Sequence, residues 1–112
     1  MPHAEAVIVV STWPAGEDPG PAASTLVEER LAACVNVLPP MESVYLWKNT
    51  VERSQERQLM IKTTRGRVDA LLTRLKQLHP YEVPEALVVP VTGGAEQYLA
   101  WIADCVGSSR AE

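Results

Sequence analysis

The side chains best suited to chemistry gather in one short stretch, His79-Pro80-Tyr81-Glu82-Val83-Pro84-Glu85. Imidazole is a good ligand for copper, zinc or nickel, and Glu82 and Glu85 supply carboxylate oxygens close by. His79 ends a helical pattern, where the backbone dipole favours a proton on the ring, and two prolines stiffen the loop after it. His79 is therefore a candidate metal ligand. One His and two carboxylates nevertheless lack the close spacing of C-x-x-C or H-x-x-x-H. The alternative is a helix-ending histidine bonded to the backbone or to a carboxylate. As an acid–base pair, Glu82 and Glu85 have no evident source of separated pKa values. Nothing cationic precedes Cys34 to lower its thiol pKa; it and Cys105 read as buried structural residues, and His3 as a free side chain. Gly93-Gly94 before the last helix fits a turn better than an anion site. The chain has no G-x-S-x-G elbow, no Gly-rich phosphate loop and no close Cys-His pair. It is expected to be no enzyme and to require no cofactor.

The elements that must position these residues follow from periodicity. Ala6–Val10 is a β-branched run too short for a helix, and its unbroken apolar character suggests a central strand. The breaker-rich stretch Trp13–Pro21 reads as a loop, with Pro21 suited to a first helical turn. Ala23, Leu26, Val27 and Leu31 then share one helical face. Cys34–Leu38 and Ser43–Trp47 read as two arms of a strand interrupted by Pro39-Pro40, followed by a turn at Lys48-Asn49-Thr50. After the turn, Arg57, Leu59, Ile61 and Thr63 alternate with Glu56, Gln58, Met60 and Lys62, which makes a long hairpin with a kinked first arm. From Gly66, the residues Val68, Leu71, Leu72, Leu75 and Leu78 repeat as a helical stripe that Pro80 stops. Ala86–Val91 reads as a strand whose Pro90 points to a sheet edge, and a helix through Tyr98, Leu99 and Ile102 closes the chain. The order βαββαβ plus a C-terminal helix predicts an α+β, ferredoxin-like sandwich with the second and fourth strands at the edges.

At 112 residues, 46% of them hydrophobic and 21% charged, the chain reads as a single domain spanning 1–112, disordered only at Met1–Glu5 and Gly107–Glu112. A net charge of −4 with scattered Lys and Arg argues against nucleic acid and anionic membranes as partners. No apolar run approaches the ~20 residues of a membrane span, and the start lacks a basic region before an apolar one. With two cysteines expected to stay reduced, a cytoplasmic location is expected. Val44, Tyr45, Leu46 and Trp47 send apolar groups to both faces of the hairpin in succession, more than one chain can hide. Long hairpin edges also invite pairing with a neighbour, so self-association is expected.

The segments Leu31-Ala32-Ala33-Cys34-Val35-Asn36, Tyr45-Leu46-Trp47, Ile61-Lys62-Thr63-Thr64, His79 through Glu85, Leu87–Val91 and Tyr98–Ile102 carry a resemblance. Over roughly residues 6 to 106 the chain resembles the CutA divalent-cation tolerance family. The resemblance implies a PII-like homotrimer in which long hairpins knit neighbouring sheets together. It also implies tolerance to divalent metals, copper (Cu2+) above all, by metal binding or sensing. The copper ligands proposed in bacterial members are a cysteine after the first strand and a histidine doublet before Pro-Tyr. Ser11 and Leu78-His79 stand at those places, so two of the three are absent. The resemblance further suggests that Trp47, Lys62, Tyr81, Glu82 and Glu85 line inter-subunit clefts able to hold a small polar ligand. In that second reading the protein is a PII-like regulatory module binding a metabolite or a partner's loop; an inter-subunit ion pair of Lys62 with a glutamate is the simpler alternative.

Overall fold

The computed structural model describes residues 5–107. His3 and most of the two end segments expected to be disordered lie outside the described residues. Seven main elements follow one another: β1 (Ala6–Pro14), α1 (Gly20–Glu28), β2 (Cys34–Trp47), β3 (Thr50–Thr64), α2 (Val68–Leu78), β4 (Leu87–Pro90) and α3 (Glu96–Val106), with a short 3-10 turn at Arg65–Arg67 before α2. The four strands form one sheet in the order β2-β3-β1-β4, every neighbouring pair antiparallel. The second and fourth strands are the edges, where the prolines at 39, 40 and 90 cost fewest ladder bonds.

α1 and α2 cover one face of the sheet. Strand alternation sends Val9, Leu59 and Ile61 to that side, where they pack with Leu26 of α1 and Leu71 and Leu75 of α2. Fully burying each such side chain contributes about 1.5–3 kcal/mol. The buried stripe of α1 is Ala22 and Leu26, whereas Val27, expected on it, is exposed; Leu31 is buried beyond the helix end. α3 forms a second cluster through Ile102 and Val106 against Ala6 and Ala33. Lys62 faces away from α1 and α2, next to buried Ile61, and its ammonium lies 5.8 Å from the Tyr98 ring of α3.

The strands depart from expectation in two places, and both bear on the site. First, β1 continues to Pro14 instead of giving way to a loop at Trp13, because its pairing with β3 runs unbroken to Trp13↔Arg57 and Pro14↔Glu56. Breaker density at residues 14–21 hides the strand end, since Pro is tolerated at a terminus that needs no further ladder donor. β4 pairs only with Val7–Val10, so Ser11–Pro14 have no strand partner on that side. Second, the kink in β2 is a bulge. The register passes from Val37↔Leu59 to Pro40↔Arg57, three residues on β2 against two on β3. The extra residue exchanges the two faces of the strand. Val35 and Val37 point to the helices, whereas Met41, Ser43, Tyr45 and Trp47 point to the opposite side with Glu56, Ser54 and Glu52. The Arg57 Nε donates to the Leu38 carbonyl at 2.9 Å, occupying an acceptor that the bulge takes out of the ladder.

Beyond Glu56 the hairpin pairs only with itself, and it projects about 20 Å at strand rise. Its two-residue turn holds Lys48 (φ 51°) and Asn49 (φ 64°) in the left-handed region, the geometry that matches strand twist. The projection stretches the molecule to 50 × 27 × 23 Å.

Candidate functional site

An open groove of about 1020 Å³ lies between the inner face of this hairpin and the loop after α2. One wall is Tyr45, Trp47, Glu52 and Glu56, and the other is the run from Pro80 to Glu85. The bulge in β2 puts the two aromatic rings on this side, and the end of α2 at His79 brings the loop across. No lysine or arginine lines the groove among the described residues.

The loop is held at three points. His79, the C-cap of α2, turns into extended backbone (φ −82°, ψ 139°) and is buried against β1. Its Nδ1 accepts the Tyr81 backbone N–H at 3.0 Å. The ring proton must then sit on Nε2, which donates to the Thr12 carbonyl at 2.6 Å. That carbonyl belongs to the stretch of β1 that β4 does not reach. The ring also packs between Trp13 (centroids 4.3 Å) and Tyr81 (4.9 Å). At the second point the Tyr81 hydroxyl donates to Glu56 Oε2 at 2.7 Å. At the third, Gln58 Nε2 donates to Glu85 Oε2 at 3.1 Å and to the Ser11 carbonyl at 2.7 Å.

The electrostatics follow burial. Desolvation holds the His79 imidazole below its ordinary pKa, outweighing the Thr12 carbonyl and the carboxylates of Glu56 and Glu17, which pull it up. The expectation that the helix end would favour a proton on His79 is therefore corrected, because loss of water is the larger effect. Burial, then the Glu56 carboxylate, pushes the Tyr81 phenol far above its usual value, so it stays a donor.

Four of the five residues expected at a ligand cleft, Trp47, Tyr81, Glu82 and Glu85, meet around this groove. Lys62 does not join them within the chain; six residues along β3 from Glu56, it is roughly 20 Å away and lies over Tyr98. As arranged, His79 offers no free lone pair to a metal, since Nδ1 already accepts and Nε2 already donates. Ser11 is wholly buried and Leu78 packs against the core. Among the described residues, no three His, Cys, Asp or Glu side chains converge to hold a metal ion. These side chains do not fit a copper centre within one chain. Cys34 and Cys105 are free and only partly buried, less so than expected.

Sequence reasoning missed Glu56, Gln58, Thr12 and Trp13. Glu56 and Gln58 alternate with core residues and look like the solvated side of a strand. Their position opposite the loop follows only from where α2 ends. Trp13 stood in a stretch dense with breakers.

A sequence model of the CutA1 divalent ion tolerance protein matches residues 7–105. The chain is 45% identical over 101 residues to the divalent-cation tolerance protein CutA of Pectobacterium atrosepticum, covering 90% of this chain and 92% of that one. It is 43% identical over 100 residues to that of Thermus thermophilus, covering 89% and 97%. In structure, it superposes on the Thermus thermophilus divalent cation tolerance protein with a TM-score of 0.87 at 42% identity, covering 91% and 99%. The crystal structure of CutA from Xylella fastidiosa gives 0.85 at 44% identity, covering 90% and 97%. Sequence and overall fold agree, and the chain belongs to the CutA1 divalent ion tolerance family.

Proposed function

We propose that the protein contributes to divalent-cation tolerance as a non-catalytic, ferredoxin-like and PII-like trimer whose hairpin groove binds a small polar ligand or a partner's loop. The observation that carries this reading is the tied loop. Three separate hydrogen-bonded contacts, at His79, Tyr81 and Glu85, hold the Pro80–Glu85 segment over the hairpin and keep the groove formed. A preformed concave site with aromatic walls and a few placed polar groups is what small-ligand sites look like. Glu52, Glu56, Glu82 and Glu85, with no lysine or arginine among the described residues that line the groove, favour a ligand that is positively charged or rich in donors. The free cysteines fit a reducing cytoplasm, the compartment proposed.

Direct copper ligation at His79, the other reading, requires the ring to surrender the Tyr81 N–H or the Thr12 carbonyl. Two measurements on the purified protein decide between them. In a thermal-shift screen of small polar metabolites, organic cations first, a stabilising compound should lose its effect in Glu56→Gln. In a copper(II) and zinc(II) calorimetric titration, wild type and His79→Ala should behave alike. Tight binding near one ion per chain that His79→Ala abolishes would overturn the groove reading.

A further inference from the structure

The three ties on the loop are not equivalent. Those at Tyr81 and Glu85 join side chains within the groove, whereas His79 connects the loop backbone to β1 through a group that can take up a proton near neutral pH. Its Nδ1 has a single lone pair, already directed at the Tyr81 N–H. Adding a proton there sets donor against donor at 3.0 Å. The opposite nitrogen keeps, and on charging strengthens, its bond to the Thr12 carbonyl. The ring therefore stays on β1 while the backbone beyond it is released.

We propose that His79 is a proton-operated latch: the neutral ring pins the start of the Pro80–Glu85 loop to β1 through the Tyr81 N–H, and protonation releases that contact, leaving the groove wall held only by the ties at Glu56 and Gln58. The charges that bear on the ring are Glu56 from β3 and Glu17 from the turn after β1. On its own loop the neighbour is the Tyr81 phenol, which remains protonated, and β1 presents Trp13 and the Thr12 carbonyl. From α2 comes the Leu75 carbonyl, which accepts the His79 backbone N–H at 2.9 Å. The two carboxylates ease proton uptake without supplying an acceptor for Nδ1–H, so a proton, once taken, still breaks the Tyr81 contact. Linkage sets the sign. The loop bond is intact above the ordinary histidine value of ~6.5 and weakens as pH falls, because the opened loop binds a proton more readily than the closed one. The consequence for ligand binding rests on the proposed groove function; the latch itself does not.

The test is nuclear magnetic resonance on the full chain without ligand. At pH 7.5 the ring nitrogens of His79 should report the Nε2–H tautomer. Hydrogen-exchange protection of the Tyr81 amide, corrected for intrinsic rate, should fall up to about tenfold per pH unit below ~6.5. The Val9 and Ile61 amides in the buried sheet report global stability, and Tyr81 protection should stay below theirs at every pH, which marks its fall as a local opening. In His79→Asn, whose side-chain oxygen can accept the same N–H without titrating, Tyr81 protection should stay flat. If that variant fails to fold, the wild type decides alone. An Nδ1–H tautomer, or Tyr81 protection that does not change with pH, overturns the latch. Because no ligand enters the experiment, a groove that binds nothing leaves this result intact. A failed latch equally leaves the thermal-shift outcome standing.

Discussion

Tyr81 does two jobs with one ring: it flanks His79 on one side and sends its hydroxyl to a buried carboxylate on the other. Glu56 is 7% exposed, and its Oε2 accepts the phenol proton. Removing the hydroxyl leaves a largely desolvated carboxylate oxygen without its donor. Tyr81→Phe should therefore cost about 1–3 kcal/mol in urea unfolding at pH 7. The raised phenol pKa adds an alkaline signature. Its contribution is complete below the unfolded value of ~10 and is lost as pH rises through the higher folded value. Wild type should lose stability above pH ~10 by a component that Tyr81→Phe lacks, and parallel pH profiles would refute this. At this scale the sequence was half legible. The His-Pro-Tyr-Glu-Val-Pro-Glu run announced Tyr81, Glu82 and Glu85 by residue type. Glu56 and Lys62 could not be sorted, because which β3 residues face the loop depends on tertiary placement and not on alternation.

Among elements, the helices and strand order were readable because their signals are local. The stripe of leucines in α2 names its own buried side, and Leu71 and Leu75 lie at its centre, both essentially inaccessible. Leu71→Ala should cost about 2–5 kcal/mol through lost burial and a residual cavity, which chemical denaturation would measure. A smaller loss would mean that α1 and α2 close over the gap. What escaped local reading was the far end of β1. Composition marked Trp13-Pro14 as loop, but pairing with Arg57 and Glu56 outweighed it and extended the strand past β4. That overhang exposes the Thr12 carbonyl that His79 occupies. The local misreading of β1 and the unforeseen bonding of His79 are one event.

For the whole molecule the question is what covers the rest. Val44, Leu46 and Val51 on the outer hairpin face, and Leu87 and Val89 on β4, are large apolar side chains left to solvent in the single chain. Both edge strands also lack an outer neighbour among the described residues. This combination supports self-association, and the proposed trimer should have a native mass of three chains at micromolar concentration. Leu46→Asp, which adds a charge to the outer face of the hairpin and leaves the core untouched, should shift that mass toward one chain. A wild-type mass of one chain would remove the trimer and leave the apolar hairpin without an account. No helix among the described residues is long and apolar enough to cross a membrane.

The bulge after Val37 acts on β2 much as a frameshift acts on a message. Upstream of it, odd-numbered residues are read by the helices; downstream, odd-numbered residues are read by the groove and even ones by whatever docks outside. The two halves can therefore change independently. Gaining or losing two residues in an arm beyond the bulge merely lengthens or shortens the ribbon and preserves the frame. Gaining or losing one exchanges Tyr45 and Trp47 with Val44 and Leu46, turning the inside of the groove to the outside. Among relatives, hairpin arms of different length should differ in even steps, unless a second bulge restores the frame.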